Sequence, residues 1–341
     1  MTDLFTPYEL KGMVLKNRIV MPPMCQYSVH AKDGIPNSWH EVHYISRAVG
    51  GAGLIIVEMT GIEPDGRISL QDTGLWNEEQ IPAHQLIVKG VHDNDAKIGI
   101  QIGHAGRKAQ DALPPVAPSA IPFDERSKTP RELTSLEVKQ QVQYFQEAAR
   151  RAVEAGYDTI EIHGAHGYLI HQFHSPLTNR REDEYGIDLA LFGEQVVKAV
   201  KQVTPPEMPI IMGISAIEYV EGGYDLAYCA KICERYRDAG VDLFHVSSGG
   251  EGAIGSNGGP NSGPGYQIEL AEGLRSLLYV PVIAVGRLES FENANQVIED
   301  HRAELVAIGR GMLKDPYWAL HAAHTLNISG QIPKQYLRGF C

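Results

Sequence analysis

The segment Ile162-His-Gly-Ala-His-Gly-Tyr-Leu169 carries two imidazoles and a phenol within six residues, directly after an apolar run of strand type. His163 and His166 stand three apart, so a turn leaving the end of a strand aims both rings at one point. Tyr168 adds a hydroxyl that keeps its proton at neutral pH. Such a cluster can move a proton or grip an oxyanion. Metal ligation and ordinary packing are the competing readings, and ligation needs at least a third ligand of suitable type.

Eight short apolar runs recur along the chain: Ile19 to Met21, Leu54 to Val57, Ile98 to Ile102, Thr159 to Ile162, Ile210 to Ile214, Leu243 to Val246, Val282 to Val285 and Leu305 to Ile308. Most are separated by stretches of helical periodicity, such as Leu136 to Ala155, Leu226 to Ala239, Ile268 to Leu278 and Phe291 to Ile298. Alternation of strand and helix implies a parallel sheet, and near-continuous apolar strands imply cover on both faces. The pattern predicts an α/β fold, a single (β/α)8 TIM barrel over residues 1–341. Gly156 and Gly240 read as helix ends before strands, and Gly53 as a helix C-cap. Two long loops, Gly103 to Arg131 and Gly249 to Tyr266, follow strand ends, and in a barrel such loops build the active-site face.

If the barrel holds, the residues after each strand converge on one mouth. These are Pro22, Pro23, Met24, Cys25, Gln26 and Tyr27, then Glu58 and Met59, then Gln101 with His104, Arg107 and Lys108, then the histidine cluster. No cluster of Asp or Glu accompanies them, which disfavours a metal-dependent lyase or hydrolase; the expected metal is none. The last two strands end in Gly286-Arg287 and Gly309-Arg310, bare backbone followed by a guanidinium, which suits a phosphate.

The formal net charge of -12 disfavours partners that draw affinity from basic patches, so neither nucleic acid nor an anionic membrane surface is expected. With no leader-like N-terminus and no apolar stretch near the roughly 20 residues that span a bilayer, a cytoplasmic enzyme is the reading. Cys25, Cys229, Cys233 and Cys341 are too few and too scattered for a disulfide framework and read as reduced thiols. Cys229 and Cys233, four apart, read as helix packing.

The chain resembles the Old Yellow Enzyme family of FMN-dependent ene-reductases, in its thermophilic-like NADPH dehydrogenase branch. The resemblance runs through Leu15-Lys-Asn-Arg-Ile-Val-Met-Pro-Pro-Met-Cys25, His43-Tyr-Ile-Ser-Arg47, His104-Ala-Gly-Arg-Lys108, His163 to Tyr168, Ser175-Pro-Leu-Thr-Asn179 and Ile308-Gly-Arg310. It implies FMN lying along Pro22, Pro23, Met24, Cys25 and Met59, with Gln101 on its pyrimidine ring. Gly286, Arg287, Gly309 and Arg310 would hold the phosphate. It further implies NADPH as reductant and an activated alkene or nitro compound as substrate. His163 and His166 would bind the substrate oxygen, Tyr168 would donate a proton, and Tyr27 would line the pocket. In the tail at residues 332–341, Arg338 would enter the site of a neighbouring subunit in a homodimer or homotetramer.

The resemblance breaks at the fifth strand. There the family carries an arginine facing the flavin, and this chain reads Met212-Gly-Ile-Ser-Ala216. One fewer guanidinium beside a reduced flavin removes an interaction worth about 1.5 to 3 kcal/mol. Weaker FMN binding or a lowered potential is therefore expected, with an FMN-poor or non-catalytic relative as the alternative. The family's run after Tyr-Gly is also replaced, by Ile187-Asp-Leu-Ala-Leu191.

Overall fold

The protein is seen in a computed structural model that describes residues 2–252 and 262–340. Eight parallel strands close into a barrel: β1 (Ile19–Met21), β2 (Leu54–Gly61), β3 (Lys97–Gly103), β4 (Thr159–Gly164), β5 (Ile210–Ser215), β6 (Leu243–Ser247), β7 (Val282–Val285) and β8 (Leu305–Ala307). Each pairs with the next, and β8 returns to β1 through Val306 opposite Ile19. All eight runs read from the sequence are barrel strands, several of them longer than expected at the C-terminal end.

Among the described residues eight longer helices accompany the barrel: α1 (Ser38–Val49), α2 (Ile81–His92), α3 (Ser135–Ala155), α4 (Leu191–Val203), α5 (Leu226–Ala239), α6 (Ile268–Leu278), α7 (Phe291–Glu299) and α8 (Trp318–Thr325). Local signals set their ends. The Thr134 side chain caps α3, Glu137 reaches back to complete the capping box, and Gly156 closes the helix at φ 91°. Gly240 closes α5 in the same left-handed half of φ space, at 130°. Gly53 does not act as a cap: α1 is capped by Gly50, whose amide bonds back to Ser46 and Ala48. Gly53 is small for another reason, since a Cβ there would lie 2.5 Å from the Asn17 carbonyl.

Burial divides the core in two. A large outer layer packs helices on the barrel, and a smaller inner cluster fills its foot with Val20, Leu54, Ile56, Ile211, Leu243, Ile283 and Leu305. An antiparallel hairpin, Tyr8–Leu10 with Met13–Leu15, closes the bottom, and Met13 and Leu15 enter that inner cluster. The barrel is therefore packed solid below and open only above. Cys229 and Cys233 face each other inside α5 with sulfurs 3.7 Å apart, as free buried thiols, which fits the packing role; Cys341 lies outside the described residues.

Leu15 is fully buried at the plugged end, so Leu15→Ala should destabilise the fold by about 2–5 kcal/mol. Guanidinium unfolding followed by circular dichroism measures this, and a loss well under 1 kcal/mol would mean that the hairpin does not seal the barrel.

Candidate active site

Side chains on a strand alternate between faces, so every second residue of a barrel strand points inward. Above the apolar foot the inward positions turn polar: Gln101 on β3, Glu161 and His163 on β4, Gly213 and Ser215 on β5, His245 and Ser247 on β6. All of these except Ser215 line a cavity of about 350 Å³, joined by Pro22, Pro23, Cys25, Met59, His166, Tyr168, Tyr266 and Gln267. That volume is in the range of small-molecule sites. A larger hollow of about 700 Å³ lies at the foot beneath the C-terminal segment, lined by such residues as Phe5, Leu320 and Pro333, and lacks comparable chemistry.

The histidine cluster sits where the sequence put it. His163 stands one residue before the end of β4, its ring centroid 5.3 Å from that of His166 and 4.9 Å from that of Tyr168. The turn between them is left-handed at two consecutive residues, His166 at φ 59° and Gly167 at φ 71°. Hydrogen bonds hold this strained backbone: His166 N donates to Ser215 Oγ at 3.0 Å and Gly167 N to His171 Nδ1 at 2.9 Å, while Gln172 Nε2 donates to Gly167 O at 2.7 Å. Behind it His171 meets Glu218 at 3.0 Å, and these two with Glu251 form a buried group of possible metal-binding type. Glu251 pairs with Arg107, so the carboxylate already has a cation.

Electrostatics keeps both histidines neutral. Burial drives His163 well below its ordinary value, helped by His166, His171, Lys108 and His245. His166 opens onto the cavity, yet the protein around it and the Lys108 ammonium hold it at about 3. Tyr168 moves the opposite way, pushed well up by burial and then by Cys25 and Tyr27, so its hydroxyl stays protonated. Lys108 lies 5.1 Å from the Tyr168 ring centroid, with its own value lowered to about 8 by desolvation. It bonds the His166 carbonyl at 2.8 Å, tying the long loop after β3 to the histidine turn.

Across the cavity, burial and the Glu58 and Asp72 carboxylates push the Cys25 thiol up, leaving it neutral. Glu58 anchors this wall by accepting from Gln26 N at 3.1 Å and Tyr44 Oη at 2.7 Å. The β2–β3 ladder slips between Val57 and Thr60. Such a bulge re-aims side chains, and here Met59 joins a small apolar cluster against which Cys25 and Tyr168 pack.

Not every expected residue lines the cavity itself. Met24 and Gly309 lie beside it, a Cβ on Gly309 being 3.6 Å from Met24 Sδ and 3.7 Å from Pro22 Cγ. Gly286, at φ 133°, follows the lining residue Val285, and its carbonyl accepts from Gly265 N at 2.7 Å. Arg287 and Arg310 both act electrostatically on Tyr266, so two guanidinium groups flank one end. Tyr27 is 43% exposed at the rim. Arg338 sits in an exposed 3-10 turn, Leu337–Gly339, and does not line the cavity of its own chain. Of the loop Gly249 to Tyr266, residues 253–261 lie outside the described residues.

The sequence reading passed over Glu161, His245, Ser247 and Gln267. Gln101 Nε2 donates to Glu161 Oε1 at 2.7 Å, and His245 Nδ1 lies 3.1 Å from Glu161 Oε2. The signal was a polar residue within an apolar strand, Leu243-Phe-His-Val246. The donor set fits a flavin mononucleotide: amide and imidazole groups on the floor, prolines and a thiol along one wall, and two guanidinium groups with bare glycine backbone at one end.

The chain matches the NADH:flavin oxidoreductase / NADH oxidase family over residues 3–329. It is 48% identical to an NADPH dehydrogenase of Listeria innocua over the whole of both chains. In structure it resembles morphinone reductase with a TM-score of 0.82 at 28% identity, covering 94% of this chain and 89% of that one. It likewise resembles an old yellow enzyme homologue from Zymomonas mobilis, at 0.81 and 26%, over 95% and 93%. With a closed parallel barrel and a cavity that suits a flavin, this chain belongs to the NADH:flavin oxidoreductase / NADH oxidase family, as an enzyme of Old Yellow Enzyme type.

Proposed function

We propose that the protein takes hydride from NADPH and reduces the C=C bond of activated alkenes: enones, enals and nitroalkenes. FMN is the cofactor, and it supplies the two-electron transfer that relays hydride from NADPH to the alkene. The observation that carries the reading is the pairing of two neutral imidazoles with a protonated phenol around one cavity. The comparisons do not support the FMN-poor alternative.

The residues divide the work as follows. His163 Nδ1 accepts from Ala165 N at 3.3 Å, which leaves Nε2–H as the donor for a carbonyl or nitro oxygen. His166 shares a contact with Ser247, Nε2 to Oγ at 2.8 Å, and that hydroxyl also reaches Ile214 O at 3.1 Å. While the Ser247 proton goes to Ile214 O, Oγ accepts from His166 Nε2–H; when the hydroxyl instead turns its one proton to His166, the ring proton moves to Nδ1 and becomes available to a substrate. Neutral donors fixed in place stabilise an oxygen that gains negative charge as hydride arrives. Tyr168 would deliver a proton to the neighbouring carbon, and the Cys25 thiol would lie along the flavin when it is bound. Phosphate is held by Gly286, Arg287, Gly309 and Arg310.

Among the described residues no helix is long and apolar enough to cross a membrane. We place the enzyme in the cytoplasm as a single barrel domain. It forms a homodimer or homotetramer in which residues 332–341 reach a neighbouring subunit and Arg338 enters that subunit's pocket.

Purified protein should be yellow, bleach with NADPH and recover its colour with an enone; protein that stays colourless after FMN is added overturns the reading. Tyr168→Phe should slow alkene reduction by roughly 10²–10⁴-fold while NADPH still bleaches the flavin at the wild-type rate, as stopped-flow absorbance would show. In Lys108→Met the removal of a positive charge should raise the His166 titration midpoint, and an unchanged midpoint by NMR would show that the ammonium does not act on that ring. Arg338→Ala should raise KM for the alkene with little change in FMN affinity, and sedimentation should find no monomer.

A further inference from the structure

Gly213 is more than a missing arginine. Its neighbours in register are His163 on β4 and His245 on β6, so it stands in the gap between two imidazole-bearing strands. Through that gap the Glu161 carboxyl group spans the floor, meeting Gln101 at 2.7 Å on one side and His245 at 3.1 Å on the other. A Cβ at position 213 would already lie 2.8 Å from Glu161 Oε1. A larger side chain there has to displace this arrangement. Glycine and histidine thus belong together: the first vacates the space that the second's partner fills.

The orientation of His245 follows from its one bond. Nδ1 is taken by Glu161, while Nε2 has no hydrogen-bond partner among the described residues and the residue lines the cavity. The titratable groups that face it are Glu161 and His163 on β4 and His166 in the turn beyond. Of these, both histidines are kept neutral. β5 presents Gly213 and Ser215, β7 presents Ile283 and Val285, and α6 packs on the outer side of the sheet. A ring with a carboxylate on one nitrogen and a ligand on the other can donate from both only as imidazolium.

Resting on the FMN reading above, we propose that His245 is the cofactor-facing donor of this pocket, oriented by Glu161, and that it binds a proton when the flavin accepts electrons. NADPH gives hydride to the flavin, leaving the reduced ring anionic, and one solvent proton goes to His245 Nε2. Reoxidation by the alkene returns that proton to solvent. A guanidinium would hold a fixed positive charge; this imidazole supplies charge only when the flavin needs it.

The test uses the apoprotein reconstituted with FMN, in the wild type, His245→Asn and Glu161→Gln. FMN dissociation constants come from flavin fluorescence. The two-electron reduction equilibrium comes from titration against a reference dye at several values from about pH 6 to about pH 8. One extra proton taken up per reduction adds a further factor of about ten per pH unit to that equilibrium. The wild type should show this added dependence, and His245→Asn should lose it while reducing less readily at the acid end. Glu161→Gln keeps a hydrogen-bonding partner for both neighbours and removes the charge that favours imidazolium, so the added dependence should fade there too. This variant keeps the test open if His245→Asn fails to fold. Variants that match the wild type in both FMN affinity and pH dependence overturn the role of His245 and leave the FMN reading standing. A wild type that binds no FMN overturns both.

Discussion

Closure of the parallel barrel is the constraint on which everything else depends. Once eight strands form a ring, their inward side chains must share a fixed interior, and the period of two decides which residues those are. In this chain the lower inward positions are Leu, Ile and Val, and the upper ones are Gln, Glu, His, Gly and Ser. The same ring of strands is therefore both a solid core and a polar basin. The helices and the hairpin at the foot keep that boundary in place by burying the outer faces and closing the lower end.

The polar basin is divided by charge state. On the β4 side, desolvation keeps His163 neutral and Tyr168 protonated. On the β1 and β2 side the Cys25 thiol is also neutral. Permanent positive charge is kept apart from these groups, in Arg287 and Arg310 beside Tyr266. Neutral donors thus gather around the β4 turn, and the two guanidinium groups stand apart from them near Tyr266.

Much of this was legible in the sequence because it is local. Apolar runs of strand length, capping residues such as Thr134 and Glu137, and the tight spacing of His163, His166 and Tyr168 all act over a few residues. What escaped depends on register between strands far apart in the chain. Nothing near His245 announces that it faces Glu161, because that contact exists only when β4, β5 and β6 are aligned and position 213 is empty. The empty position itself was noticed, but as a loss. Gly53 was misread for a related reason: its close neighbour, Asn17, comes from another part of the chain.

The pairing of β1 with β8 has a consequence for how the molecule is made. Val306 meets Ile19 from the opposite end of the chain, so the ring cannot close until almost the whole polypeptide is available. Until then two strands carry open edges, and the apolar interior above the hairpin is reachable from the side. Such long-range parallel pairing folds slowly and leaves aggregation-prone surface during synthesis. The pairing that closes the finished pocket is thus also the last to become available as the chain is made.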